Sequence, residues 1–218
     1  MDIKIDKHTV IVFDLDDTLY NEIDYLKSAY RDISVQIDPD NSKNLYREMF
    51  AMYRMGKDVF QYLSDSYGVK KQDLVQLYRN HKPNITLFEG VLDLFKAILK
   101  KEGRIALITD GRVKTQSAKL EALGITNYLS KTVISEAIGS EKPNERNFKL
   151  VEDALSAKQY YYIADNIKKD FVTPNSLGWK TIGLIDNGQN IHVALASQVS
   201  ENYLPHNFIA SFKEVNII

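Results

Sequence analysis

From residue 85 onward, short runs rich in β-branched and aromatic residues alternate with amphipathic stretches. This alternation restricts the fold more than any other feature of the chain. The runs at 104–109, 131–135, 159–164 and 180–185 read as buried strands. Between and around them, 91–101 and 144–156 carry apolar residues three and four apart, the spacing of helices, and two further helices are expected, at 113–123, closed by Gly124, and at 170–177, with a break near Pro174. Residues 208–210 and 211–215 suggest a final strand and a short helix. An earlier run, Thr9 to Phe13, is a further buried strand. Strands and helices in this order predict an α/β fold, a doubly wound, Rossmann-like parallel sheet with helices on both faces.

One segment breaks the alternation. Residues 21–84 hold four helical patterns, at 22–37, 43–55, 58–67 and 72–81, and no convincing strand. The expected organisation is therefore a core of 1–20 and 85–218 with a helical domain, 21–84, inserted in it. The stretch 188–204 has the weakest periodicity of the chain.

Composition narrows the function. The net charge is −1 over 218 residues, so no basic field recruits nucleic acid or an anionic membrane. There is no cysteine, which removes disulfides, thiolate catalysis and cysteine zinc sites. No early apolar run reaches the length of a membrane span or a signal segment, and Asp14 interrupts the longest. The expected setting is cytoplasmic.

In open parallel sheets, ligands sit beyond the carboxyl ends of the strands. Four of the strand ends here are chemically loaded. The first ends in Asp14-Leu15-Asp16, two carboxylates that would repel in a crevice unless a cation lies between them. The second ends in Thr109-Asp110-Gly111, a hydroxyl and free amides suited to cradling phosphate. The third is followed by Lys142-Pro143, and the fourth by Asp165, with Asp170 five residues on. Each group alone is ordinary capping or turn material, or a solvated lysine. Four of them at the strand ends of one sheet are hard to attribute to capping.

Together, Asp14-x-Asp16-x-Thr18, Thr109, Lys142-Pro143 and Asp165-x-x-x-x-Asp170 resemble the four motifs of the haloacid dehalogenase superfamily. Gly90, Leu123-Gly124-Ile125 and Gly178-Trp179-Lys180-Thr181 fit the same pattern, so the resemblance covers nearly the whole chain. It implies that Asp14 is a nucleophile attacking phosphorus and that Asp16 is general acid and then base. Mg²⁺ would be held by Asp14, Asp16 (through its backbone carbonyl as well) and Asp165. Thr109 and the Asp110 amide would hold phosphoryl oxygens, and Lys142 would neutralise growing charge. Asp170, Asn166 and Thr18 would support, Asn166 through a metal-bound water. The aspartate at 16 separates a phosphatase from dehalogenase members, which need no proton for their leaving group.

Two positions depart from the pattern: Ala164 stands where glycine is commoner, and Asp110 brings a negative charge where many relatives carry asparagine. The resemblance also makes 21–84 a helical cap. With 10 Lys and Arg against 9 Asp and Glu, it is no basic clamp, and its Tyr and Met residues read as packing. Tyr20, Asn21 and Arg112 stand as candidates for substrate contact, while Tyr160, Tyr161, Tyr162 and Trp179 read as structural. The implied activity is Mg²⁺-dependent hydrolysis of a small phosphorylated metabolite, a sugar phosphate or nucleotide, through an aspartyl-phosphate. A phosphomutase on the same core and a catalytically idle phosphate-binding module are the alternatives.

Overall fold

The computed structural model describes residues 1–193, 197 and 199–218; the rest of the poorly patterned 188–204 stretch lies outside them. The chain divides into two compact units, residues 1–22 with 86–218, and residues 23–85.

The first unit is built on six parallel strands. β2 (Thr9–Phe13) lies inside the sheet, flanked by β3 (Arg104–Thr109) and β5 (Gln159–Ala164). Outside them lie β4 (Lys131–Ile134) on one side, and β6 (Lys180–Leu184) then β7 (Asn207–Ile209) on the other. The chain steps outward from β2 to β4, then crosses back to β5 and steps the other way. The strand order thus reverses between β2 and β5, where such sheets bind ligands.

All five residues of β2 are buried, because both faces of the sheet are covered. On one face Val10 and Val12 join Phe148 and Val151 of α8 (Glu145–Ala154), together with Tyr162, Phe171 and Trp179. On the other, the Phe13 ring lies 5.0 Å from Phe95 of α5 (Val91–Lys100) and 6.2 Å from Phe212.

Three further helices complete the connections: α6 (Val113–Ala122), α7 (Ser135–Ile138) and α9 (Val172–Ser176). Helix α9 is shorter than the expected 170–177, and Asp170 precedes it. A two-stranded parallel pairing of β1 (Asp2–Ile3) with β8 (Asn216–Ile217) was not expected. Strands of two residues are too short to show a period of two.

The second unit contains four helices: α1 (Glu22–Ile37, its first residue in the first unit), α2 (Ser42–Arg54), α3 (Val59–Tyr67) and α4 (Lys71–Asn80). Ile23, Leu26, Tyr30 and Ile33 form the buried stripe of α1, joined by Leu45, Met49, Leu63 and Leu74. Tyr25 meets Tyr78 edge-on at 5.4 Å and donates its hydroxyl proton to the Tyr78 carbonyl. Tyr25, Tyr30 and Met49 pack the interior, whereas Met55 and Tyr67 are exposed. Among the described residues, no helix is long and apolar enough to cross a membrane.

Candidate active site

Asp14 and Asp16 leave the carboxyl end of β2, whose ladder continues one residue further through the Asp14 amide to the Ile163 carbonyl (3.0 Å). Thr109 closes β3 and Asp165 follows β5. Lys142 arrives from the segment between α7 and α8. Its bond to Pro143 is cis, and the Thr173 hydroxyl donates to the Pro143 carbonyl.

The Lys142 side chain is 1% exposed, and its Nζ lies 2.7 Å from Asp14 Oδ1 and 2.7 Å from Asp170 Oδ1. It also donates to the Tyr162 hydroxyl (3.2 Å), which in turn donates to Asp170 Oδ1 (3.2 Å). Burial opposes its charge, but Asp14 and Asp170 outweigh burial and hold its pKa well above the ordinary value. For Asp14 the balance falls the other way: burial pushes the carboxyl up to about 7 against the pull of Lys142. Asp165 is pushed well above the usual carboxylate range by burial and then by Asp14. Thr18 donates to Asp165 Oδ1 (3.1 Å) and Asn190 to Oδ2 (3.0 Å).

Asp14, Asp165 and Asp170 each present an oxygen, all within 4.8 Å of one another. The side chain of Asp16 is not in this cluster. Its Oδ1 accepts from Lys119 Nζ (2.6 Å) and from the Tyr20 hydroxyl, and its Oδ2 from Gln116 Nε2 (2.9 Å). Burial alone would raise the Asp16 carboxyl, but Lys119, Tyr20 and Gln116 outweigh it and hold it below its ordinary value. Gln116 Nε2 also donates to Thr109 Oγ1 (2.6 Å), so one amide joins the hydroxyl after β3 to the carboxylate after β2. Gly111 lies directly against that amide: a Cβ at 111 would sit 3.1 Å from Gln116 Cδ, and its φ of +141° favours glycine.

Asp110 settles the question its charge raised. Its Oδ1 accepts from the Lys142 backbone amide (3.0 Å) and its Oδ2 from Lys169 Nζ (2.8 Å), so the charge is paired on both oxygens. Asp170 Oδ2 accepts from the Asn166 amide, and Asn166 Oδ1 accepts from the Lys168 amide, closing its own turn. Asp17 sits in the left-handed region at φ 55° and accepts from the Glu22 and Ile191 amides (2.8 Å each), a turn residue. Of the candidates for substrate contact, Tyr20 is fully buried beneath Asp16 and Asn21 accepts from Asn187. Arg112 is an exposed side chain 4.0 Å from Glu136.

These groups surround a cavity of about 150 Å³ whose wall carries Asp14, Asp16, Asp17, Glu22, Asp110 and Asp165, with Thr109 and Lys169 beside them. Burial, and then Asp16, push the Glu22 carboxyl up to about 8. A phosphoryl dianion would be repelled from such a wall unless a cation sat among the carboxylates. Buried, oxygen-only donors suit a hard divalent ion, so the residues present fit one.

Lys119, Gln116, Lys169 and Asn190 were not singled out from the sequence, and Tyr162 was read there only as structural. Gln116 and Lys119 left a readable trace: with Leu120 and Leu123 they occupy the i, i+3, i+4, i+7 stripe of α6. Two polar residues there stand where apolar ones belong.

Known proteins resemble this chain in sequence and in fold. The family model for haloacid dehalogenase-like hydrolases matches residues 11–184. The chain is 27% identical over 195 residues to a glyceraldehyde 3-phosphate phosphatase of Methanocaldococcus jannaschii, covering 80% of this chain and 84% of that protein. It is 26% identical over 152 residues to the pyrimidine 5'-nucleotidase YjjG of Escherichia coli, covering 63% and 67%. In fold it is similar to the HAD-hydrolase YfnB of Bacillus subtilis, with a TM-score of 0.65 at 18% identity over 95% of this chain and 96% of that one. With a family model spanning most of its length, this chain belongs to the haloacid dehalogenase-like hydrolases.

Proposed function

We propose that the protein is a Mg²⁺-dependent phosphatase of a small phosphorylated metabolite, a sugar phosphate or nucleotide, working through an aspartyl-phosphate on Asp14. The observation that carries this reading is the buried contact of Asp14 Oδ1 with Lys142 at 2.7 Å, on the wall of a cavity shared with Thr109 and Asp165. The substrate class is supported by relatives named for glyceraldehyde 3-phosphate and pyrimidine nucleotides.

In the first half-reaction an Asp14 oxygen bonds to phosphorus and the bond to the leaving oxygen breaks, with Asp16 giving that oxygen a proton. In the second, water attacks the same phosphorus, its proton passes to Asp16 and the Asp14 carboxylate is released. Thr109 Oγ1 and the Asp110 amide bind phosphoryl oxygens. Lys142 meets the charge that grows on them, where a fixed donor in a water-poor site acts most strongly. Lys169, paired with Asp110, also lines the cavity.

Asp14 and Asp165, with the Asp16 main-chain carbonyl, are the groups that would hold Mg²⁺. When bound it supplies positive charge between an anionic nucleophile and an anionic substrate. Asp170 is committed to Lys142, Tyr162 and the Asn166 amide, so it acts as support.

Hydrolysis of p-nitrophenyl phosphate with Mg²⁺, lost on chelation and lost in Asp14→Asn, is the expected result. Activity that survives Asp14→Asn overturns the assignment of the nucleophile. A screen of phosphorylated metabolites for free phosphate then identifies the substrate. Phosphate that moves on a sugar without being released would mark a mutase instead.

A further inference from the structure

The three donors around Asp16 go beyond what hydrolysis by Asp14 requires. Lys119 is 4% exposed at its side chain, on a helix whose neighbouring positions face the core. A buried ion pair contributes little net stability, and an apolar side chain of the same volume often serves as well or better. A lysine kept in such a place is better explained by what it holds in position.

What it holds is an acceptor. Asp16 Oδ1 takes Lys119 Nζ at 2.6 Å and the Tyr20 hydroxyl, and Oδ2 takes Gln116 Nε2 at 2.9 Å. A carboxylate fixed at both oxygens cannot turn about its own axis. Oδ2 accepts a single hydrogen bond among the described residues, so one of its lone pairs stays available. Gln116 ties that same oxygen to Thr109 Oγ1, the hydroxyl assigned to the phosphoryl group. Lys119 also meets the Tyr20 ring, whose centroid is 5.9 Å from Nζ.

We propose that Lys119, with Gln116 and Tyr20, is a positioning residue that aims Asp16 Oδ2 at the water which cleaves the aspartyl-phosphate. The inference rests on the phosphatase reading above. In the step concerned, the water oxygen bonds to phosphorus and the bond from phosphorus to the Asp14 oxygen breaks. The water proton goes to Asp16 Oδ2, leaving inorganic phosphate and a free Asp14 carboxylate.

The experiment is pre-steady-state turnover of p-nitrophenyl phosphate by the full chain with Mg²⁺, comparing wild type with Lys119→Met. Nitrophenolate leaves without a proton, so the first half-reaction makes little demand on Asp16. The expected result is a burst of product near one equivalent per chain, followed by turnover slowed roughly 100-fold, the lower range for general base catalysis. Phosphate should remain on the protein after quenching, and kcat and KM should fall together with kcat/KM unchanged. A loss of kcat/KM as large as that of kcat, without a burst, overturns the proposal, as does unaltered turnover. Tyr20→Phe removes one oxygen only and is expected to give the same pattern in smaller measure, so the test survives a poorly folding Lys119→Met. If wild type turns over, Asp14→Asn is dead and neither variant shows a burst, the positioning role falls and the phosphatase reading stands. A wild type inactive on every phosphate ester overturns both.

Discussion

Asp14 and Asp16 are two residues apart at the end of one strand, and each meets a buried lysine, Asp14 at 2.7 Å and Asp16 at 2.6 Å. The two neighbourhoods nevertheless have opposite characters. Around Lys142, two carboxylates share one cation with almost no access to water, and burial wins at Asp14, which rises to about 7. Around Lys119, a single carboxylate, 18% exposed, collects a cation, a phenol and an amide, and the donors win. Two like residues are thus made unlike by their surroundings, the usual way one site obtains two roles from one residue type. The centre at Lys142 is short of positive charge and ready for a metal ion. The centre at Lys119 is complete without one.

The largest effect should come from breaking the first centre. Lys142→Met leaves Asp14 and Asp170 facing each other in the interior, and removing one partner of such a buried pair costs about 3–5 kcal/mol. Calorimetric unfolding should show this, with activity on an aryl phosphate down by about 100- to 1,000-fold. Lys119→Met should cost far less stability, because water reaches Asp16. Equal losses in the two variants would erase the distinction between the centres.

A pH series on the metal-free protein sharpens it. The folded pKa of Asp14, about 7, lies above its ordinary 3.8, so the folded chain holds this proton more tightly than the unfolded chain does. The stability it contributes is complete below the ordinary value and is lost as pH rises through about 7. Asp14→Asn should therefore melt higher than wild type at pH 8, and the gap should close towards pH 4. A gap that widens in acid would contradict the assigned balance of burial over Lys142.

A smaller effect is expected at the metal side of the same centre. Thr18→Val deletes one of the two side-chain hydrogen bonds that Asp165 accepts among the described residues. Loss of an outer-shell partner typically weakens metal binding about 10- to 100-fold, so titration calorimetry should find Mg²⁺ bound at the weak end of that range. Arg112→Ala belongs to neither centre. With an exposed side chain and a 4.0 Å partner, it should change stability by less than about 0.5 kcal/mol.

What could be read from the chain follows the same division. Asp14, Asp16, Asp165, Thr109 and Lys142 lie at or beyond strand ends, and a strand announces itself by a run of β-branched residues, so its end is easy to find. Asp14, Thr109, Asp165 and Lys169 converge on one cavity because three parallel strands end together there. Lys119 and Gln116 approach from the side of α6, and nothing local says that this side faces Asp16, 103 and 100 residues away. Tyr162 read as core and is core, yet its hydroxyl touches both Lys142 and Asp170. Which lysine serves which aspartate is a property of the folded sheet, and no spacing along the chain encodes it.

Gly111 shows how narrow the mutational routes around this site are. It touches no reacting group, but any side chain there would push on Gln116 Cδ from 3.1 Å. Gln116 is the common tie of Thr109 and Asp16, so a single-base change to alanine would disturb at once the hydroxyl proposed to bind phosphate and the carboxylate proposed to carry the proton. A side chain at residue 111 is therefore tolerated more easily after Gln116 has changed than before, and for a lineage carrying this site the order of substitutions matters as well as their identity.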